Sequence, residues 1–147
     1  MKKERLFPYW TNLEQVVPVV QSCTSGDFTL TLVSIEIYAR HGFLLTVNAE
    51  THVPNTMFDR GGRGWTRAQM VDQDGSPYTS LLATIDGQTY RHLFSGRCIL
   101  ICLPPLPEQR RTLSITIDSI EWEYIERPDE EPASIMLEGP WQFDVSF

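Results

Sequence analysis

The fold is decided by the stretch Thr112-Leu-Ser-Ile-Thr-Ile-Asp-Ser-Ile-Glu-Trp-Glu-Tyr124. Its apolar side chains occupy odd positions up to Ile117 and even positions from Ile120 onward. Alternation with a period of two is typical of a β-strand that has one buried face and one solvated face. The change of parity at Asp118-Ser119 predicts a β-bulge or a bend, because one extra residue keeps both halves facing the core.

The last segment, Gly139 to Phe147, repeats this alternation, with Trp141, Phe143 and Val145 on one face. Large aromatic residues on one face of successive strands indicate a core that lies between sheet faces. A second change of parity, at Leu32-Val33, predicts a second bulge or a strand that bends between sheets.

Other strands carry signals for their place in a sheet. Gln15 to Ser22 contains Pro18, which has no N–H to donate, so this strand is predicted at an edge. Arg97 to Leu103 is apolar on both faces, which predicts a central strand. Asp86-Gly87 between two apolar runs predicts a tight hairpin.

The complete pattern is about eight or nine short strands separated by turn residues, with no convincing amphipathic helix. We therefore predict an all-β fold, an antiparallel immunoglobulin-like β-sandwich that spans residues 15–147 and follows an N-terminal arm, residues 1–14. A barrel such as a jelly roll is the alternative.

Length and composition narrow the function classes. A chain of 147 residues suits one domain, and its net charge of −7 argues against general nucleic-acid binding, which needs clustered Lys and Arg. The three cysteines are an odd number, so a complete disulfide framework is excluded, and we expect buried reduced thiols. Neither a signal peptide nor a transmembrane run is evident, so we expect no membrane insertion, and a cytoplasmic location if the chain is complete.

The residue types that usually carry catalysis lack the spacing that catalysis needs. His41, His52 and His92 show no metal-ligand spacing. The Asp72-x-Asp74-Gly turn lacks the later glutamate of a calcium loop, so we predict a turn held by Asx hydrogen bonds. Glu121 and Glu123 share the solvated face of one strand, where solvated surface residues are the expectation. The prediction is a non-catalytic protein with no cofactor and no metal.

Recognition is predicted in the irregular segment Glu50 to Arg67, since long loops and Trp and Arg side chains are frequent at protein interfaces. The candidate partner-binding residues are Phe58, Arg60, Arg63, Trp65 and Arg67. The alternative for this loop is that Phe58 and Trp65 cap the core. The expected partner is a protein, and a homo-oligomer is left open. The alternative function is a carbohydrate-binding module, for which Trp65 and Tyr90 are the aromatic candidates.

Several segments resemble a bacterial β-sandwich domain of unknown function that follows the membrane span of anti-sigma-factor-like proteins. They are Leu30-Thr-Leu32 after a Ser-Gly-Asp turn, Asp72-Gln-Asp-Gly-Ser-Pro-Tyr78, Ile99 to Pro105, Leu113-Ser-Ile-Thr-Ile117 and Gly139-Pro-Trp-Gln-Phe143. The resemblance covers residues 15–147. It implies an immunoglobulin-like fold and recognition of a ligand or partner in sigma-factor signalling, and it carries over no catalytic residue.

Overall fold

The computed structural model describes residues 10–52, 63–91, 93–124 and 133–147, which form eight antiparallel strands. Their bounds are β1 Leu13–Ser25, β2 Phe28–Tyr38, β3 Gly42–Thr51, β4 Arg63–Asp72, β5 Pro77–Tyr90, β6 Leu93–Leu103, β7 Thr112–Tyr124 and β8 Ala133–Ser146. The predictions of an all-β antiparallel fold and of about eight strands are confirmed.

The strands follow the order β1-β2-β3-β6-β5-β4-β7-β8 in one nearly closed, barrel-like sheet. In this order, the first five strands, β1, β2, β3, β6 and β5, form one half of the sheet, and β4, β7 and β8 form the other. The two halves share only a short ladder, in which Met70 pairs with Tyr78 and Val71 pairs with Pro77. This single sheet differs from a sandwich whose two sheets are separate.

Side chains rather than a backbone ladder connect the two outermost strands, β1 and β8. The Gln21 side-chain amide donates to the Asp144 carbonyl oxygen at 2.7 Å, and the Ser25 hydroxyl donates to the Glu138 carbonyl oxygen at 3.2 Å. We call this line of contact the seam. Strand β1 is thus the edge strand that Pro18 predicts.

Both predicted bulges are present. The register of β7 shifts against β4, where Ser119 pairs with Arg67 and Ile117 pairs with Ala68, and Asp118 is the extra residue. The register of β2 shifts between Leu32 and Ser34 against β3, and Val33 is the extra residue there. Each bulge restores the inward direction of the apolar side chains after the change of parity.

The core fills the interior of the sheet and contains apolar side chains from every strand except β1, whose Val17, Val19 and Cys23 pack against it. Trp141 and Phe143 are buried, as predicted. The fully buried large side chains of the core are Trp141, Phe43, Phe143, Leu30, Leu32, Ile35, Ile37, Leu45, Met70, Leu100, Leu113 and Ile115. Strand β6 lies between β3 and β5, which confirms its predicted central position.

The predicted hairpin at Asp86-Gly87 is wrong, because β5 continues through these residues to Tyr90. Gly87 pairs with Gly96 of β6 inside the ladder. The ring of Phe94 lies so close to Gly87 that an added Cβ would stand 2.5 Å from its Cε2 atom. The absence of a side chain at Gly87 therefore lets the Phe94 ring lie close to the backbone, which is a known reason for glycine within a strand.

The prediction of an irregular segment Glu50 to Arg67 is wrong at both ends, because β3 extends to Thr51 and β4 begins at Arg63, and residues 53–62 lie outside the described residues. Within the described ranges, the structure contains no helix with the length and hydrophobicity that a membrane crossing requires.

Candidate functional site

A groove lies on the outer face of the five-strand half, where the strand order is β2-β3-β6. It encloses about 270 Å³. The lining side chains are Trp10, Glu36, Tyr38, Leu44, Thr46, Arg97 and Ile99. We call it the outer groove.

Alternation along the three strands places these side chains outside the core. Ile35 and Ile37 of β2 are buried in the core, so Glu36 and Tyr38 point to the opposite face. In the same way, Leu44 and Thr46 of β3 alternate with the core residues Phe43, Leu45 and Val47, and Ile99 of β6 alternates with Cys98 and Leu100.

The strand register aligns these outward positions in rows across the sheet. Glu36 pairs with Leu44, and Leu44 pairs with Ile101. Ile101 in turn pairs with Leu81 of β5, which is 67% exposed. The outer face of this half therefore carries apolar side chains where a solvated sheet face usually carries polar ones.

Trp10 forms one wall of the outer groove. Its ring centroid lies 5.4 Å from that of Tyr38 in a tilted arrangement and 6.0 Å from that of His41 in a stacked one. The indole also packs against the bare backbone of Gly42, where an added Cβ would stand 2.8 Å from the Trp10 Cη2 atom. A side chain at Gly42 would clash first with the Cys102 backbone carbonyl oxygen of β6 and then with Trp10, which explains why glycine suits the start of β3.

The polar end of the groove is a carboxylate held by a phenol. The Tyr38 hydroxyl donates a hydrogen bond of 2.9 Å to Glu36 Oε2. Burial, this hydrogen bond and the negative charge of Glu36 together raise the pKa of Tyr38. Among the residues that the structure describes, no cationic side chain lies within ion-pair distance of Glu36. The Glu36 carboxylate is therefore oriented but has no counterion in that part of the chain.

Arg97 stands at the other end of the groove. Arg97 belongs to β6, which is two strands away from β2 and Glu36. It lies four residues along β6 from Ile101, the residue of β6 that shares a row with Glu36. Strand geometry separates the Cα atoms of Glu36 and Arg97 by about 16 Å. The groove thus runs diagonally over an apolar floor, with a carboxylate at one end and a guanidinium at the other.

The five predicted partner-binding residues lie elsewhere or outside the described residues. Phe58 and Arg60 fall outside the described ranges. Arg63 begins β4, and Trp65 and Arg67 follow at alternate positions of that strand with exposed side chains. Trp65 and Arg67 thus share the outer face of the three-strand half, away from the outer groove.

The two aromatic candidates for sugar binding belong to different halves of the sheet. Trp65 lies on β4 and is 48% exposed, whereas Tyr90 ends β5 and is 69% exposed. The Arg91 guanidinium carbon lies 5.3 Å from the centroid of the Tyr90 ring. The sheet therefore does not present Trp65 and Tyr90 as one platform.

The turn after β4 has the Asx hydrogen bonds that the sequence predicts. Asp72 Oδ1 accepts from the backbone N–H groups of Asp74 at 2.9 Å and Ser76 at 3.0 Å, and Oδ2 accepts from the Tyr78 hydroxyl at 2.8 Å. Burial opposes ionisation of Asp72, but these three hydrogen bonds outweigh it and lower the pKa of this carboxyl. Both carboxylate oxygens are thus engaged within the turn.

Other candidate chemistry is dispersed. In the described portion of the chain, no three His, Cys, Asp or Glu side chains are grouped so that they could hold a metal ion. Cys98 and Cys102 are buried, as predicted, and burial raises the pKa of the Cys102 thiol. Cys23 is free and half-buried at the seam, where its sulfur accepts from the Gln142 N–H at 3.5 Å.

Sequence reasoning missed the outer groove. The available signal was the run Cys98 to Leu103 of β6, whose outward positions are apolar as well as its inward ones. That run indicates a strand covered on both faces, and the groove lies over one of those faces. The contribution of Trp10 has no local signal, because it depends on the path of the chain before β1.

Comparisons of this chain with protein-family models, with curated proteins and with solved structures find no match.

Proposed function

We propose that this chain is a non-catalytic recognition module that binds a peptide segment of a protein partner in the outer groove. The observation that carries the proposal is the groove itself, a concave apolar site on a sheet face, with an aromatic wall and one charged group at each end. Apolar pockets with a few convergent polar groups are the usual form of binding sites.

The size of the groove favours a side chain of a larger partner. Its volume of about 270 Å³ lies just below the range of about 300–1,000 Å³ that is typical of sites for whole small molecules. The apolar surface also continues beyond the groove along Ile101 and Leu81. A partner that inserts one side chain into the groove and packs against Ile101 and Leu81 would bury both the groove and this apolar surface.

We further propose an immunoglobulin-like arrangement of the strands. Two runs in the sheet support it, β2-β3-β6-β5 and β4-β7-β8. In chain order they reproduce the ABED and CFG sheets of an immunoglobulin constant domain, with β1 as an additional edge strand. The resemblance to the sandwich domain of anti-sigma-factor-like proteins implies the same fold, and a place in signalling is part of this proposal.

Selection from a displayed random-peptide library tests the proposed site. We expect peptides whose binding to the full chain is lost in Trp10→Ala and retained in Trp65→Ala. The second variant is the matched control, since it removes an exposed tryptophan from the opposite half of the sheet. Peptides that bind both variants equally would refute the assignment to the outer groove.

A glycan array with the same two variants addresses the alternative function. Polysaccharide binding that disappears in Trp10→Ala, with no peptide selected, would replace protein recognition by carbohydrate binding. Binding that disappears only in Trp65→Ala would instead place a carbohydrate site on β4.

A further inference from the structure

We infer that the outer groove selects a basic side chain, lysine or arginine, from the bound peptide. This inference rests on the proposed function and adds the chemical class of the residue that is recognised. Its starting point is the Glu36 carboxylate, which Tyr38 orients at 2.9 Å and which forms no ion pair with any described residue. A half-buried carboxylate interacts more strongly with a nearby cation than a fully solvated one does.

The walls around Glu36 suit the rest of a basic side chain. The Tyr38 hydroxyl contacts the carboxylate and the Trp10 ring packs against Tyr38 in the same groove, and a cation within about 6 Å of a ring centroid is attracted by the ring quadrupole. Leu44 and Ile99 form an apolar floor on which the aliphatic stem of lysine or arginine can lie. One ligand group thus satisfies the aromatic wall, the floor and the carboxylate together.

The charges of the chain also favour a peptide whose basic side chain lies at Glu36. A net charge of −7 attracts basic partners over long range. Arg97 is the cationic residue that lines the groove, and strand geometry places it about 16 Å from Glu36 between Cα atoms. Because the Arg97 side chain is exposed, salt screens its repulsion of a cation that is bound at Glu36. Its position instead favours an acidic group at the far end of the peptide.

Titration of the isotope-labelled full chain with amino-acid amides tests the inference by NMR. The probes are N-acetyl-lysine methylamide, its arginine counterpart and N-acetyl-norleucine methylamide, which keeps the alkyl stem without the ammonium group. We expect the lysine and arginine probes to bind at least about fivefold more tightly than norleucine, because they add an ion pair and a cation–π contact. The shifted resonances should include Trp10, Tyr38 and Leu44.

Two variants separate the carboxylate from general charge effects. Glu36→Gln should reduce the preference for lysine over norleucine to about one, with norleucine binding unchanged. Glu50→Gln is the matched control, because it removes an exposed carboxylate from the outer face of β3 outside the groove. It should keep the preference. Unchanged melting temperatures would establish that both variants are folded.

Equal binding of lysine and norleucine by the wild-type chain would overturn the inference, as would a preference that survives in Glu36→Gln. Shifts confined to residues outside the groove, or no shift with any probe, would reject it as well. The proposed function has a separate outcome. Library peptides that need Trp10 but contain no basic residue would retain the groove as a peptide site and refute only its selectivity.

Discussion

Replacement of Trp141 by alanine should be among the most destabilising single substitutions in this protein. Trp141 is fully buried on β8, and its indole N–H donates to the Phe28 carbonyl oxygen of β2 at 3.2 Å. The side chain therefore fills the core and also connects β8 to β2 across the seam.

The expected loss follows from the buried area and the hydrogen bond. A buried aromatic side chain removes about 150–250 Å² from water, which at about 25 cal/mol per Å² corresponds to about 4–6 kcal/mol. The loss is reduced because alanine retains a small part of this buried area, and it is increased by the residual cavity and the lost hydrogen bond. We expect Trp141→Ala to lower the free energy of unfolding by about 3–5 kcal/mol.

Equilibrium unfolding in urea, followed by far-ultraviolet circular dichroism, measures this loss without depending on tryptophan fluorescence. With a slope of about 2 kcal/mol per molar urea, the midpoint should fall by about 1.5–2.5 M. Trp65→Ala is the control, because Trp65 is 48% exposed, and it should cost less than about 1 kcal/mol.

The conservative variant keeps the test decisive if Trp141→Ala does not fold. Trp141→Phe retains most of the apolar ring and loses the hydrogen bond to Phe28, so an intermediate loss of about 1–2 kcal/mol is expected. If Trp141→Ala unfolded at the same urea concentration as Trp65→Ala, Trp141 would not be a principal core residue and the reasoning would be refuted.

Two further predictions concern groups with altered ionisation. The pKa of Asp72 is lower in the folded state than its ordinary value of about 3.9. Its carboxylate therefore stabilises the fold above that pH, and this contribution is lost as pH falls through the folded-state pKa. Asp72→Asn should reduce the acid dependence of the melting temperature, and an unchanged dependence would contradict the role of the turn. Among the three cysteines, Cys23 should react with a thiol reagent in the native protein, while buried Cys98 and Cys102 should react only after unfolding. Equal rates for all three native thiols would contradict this.

Local patterns in the sequence predicted the all-β class and two of the bulges, whereas the register shifts within β1 and β5 were not predicted. The changes of parity at Asp118 and Leu32-Val33 predicted the two irregularities, because a side chain's face depends only on its position along one strand. The edge position of β1 and the central position of β6 followed from Pro18 and from an apolar run, which are also local features.

The hairpin assignment failed because it required knowledge of a distant neighbour. Asp-Gly is a turn signal where no other group packs against the glycine. In this protein the ring of Phe94 lies against Gly87, so the glycine provides space within a continuous strand.

The sequence by itself determined that this protein is all-β, which faces its strands bury and where two of them bulge. Only the tertiary structure decided that β2, β3 and β6 are neighbours, that Trp10 lies on their outer face and that the sheet nearly closes at the seam. The physical reason is that alternation is a property of consecutive residues. The outer groove instead depends on the register of β6 against the consecutive strands β2 and β3, and on an indole that packs against Gly42.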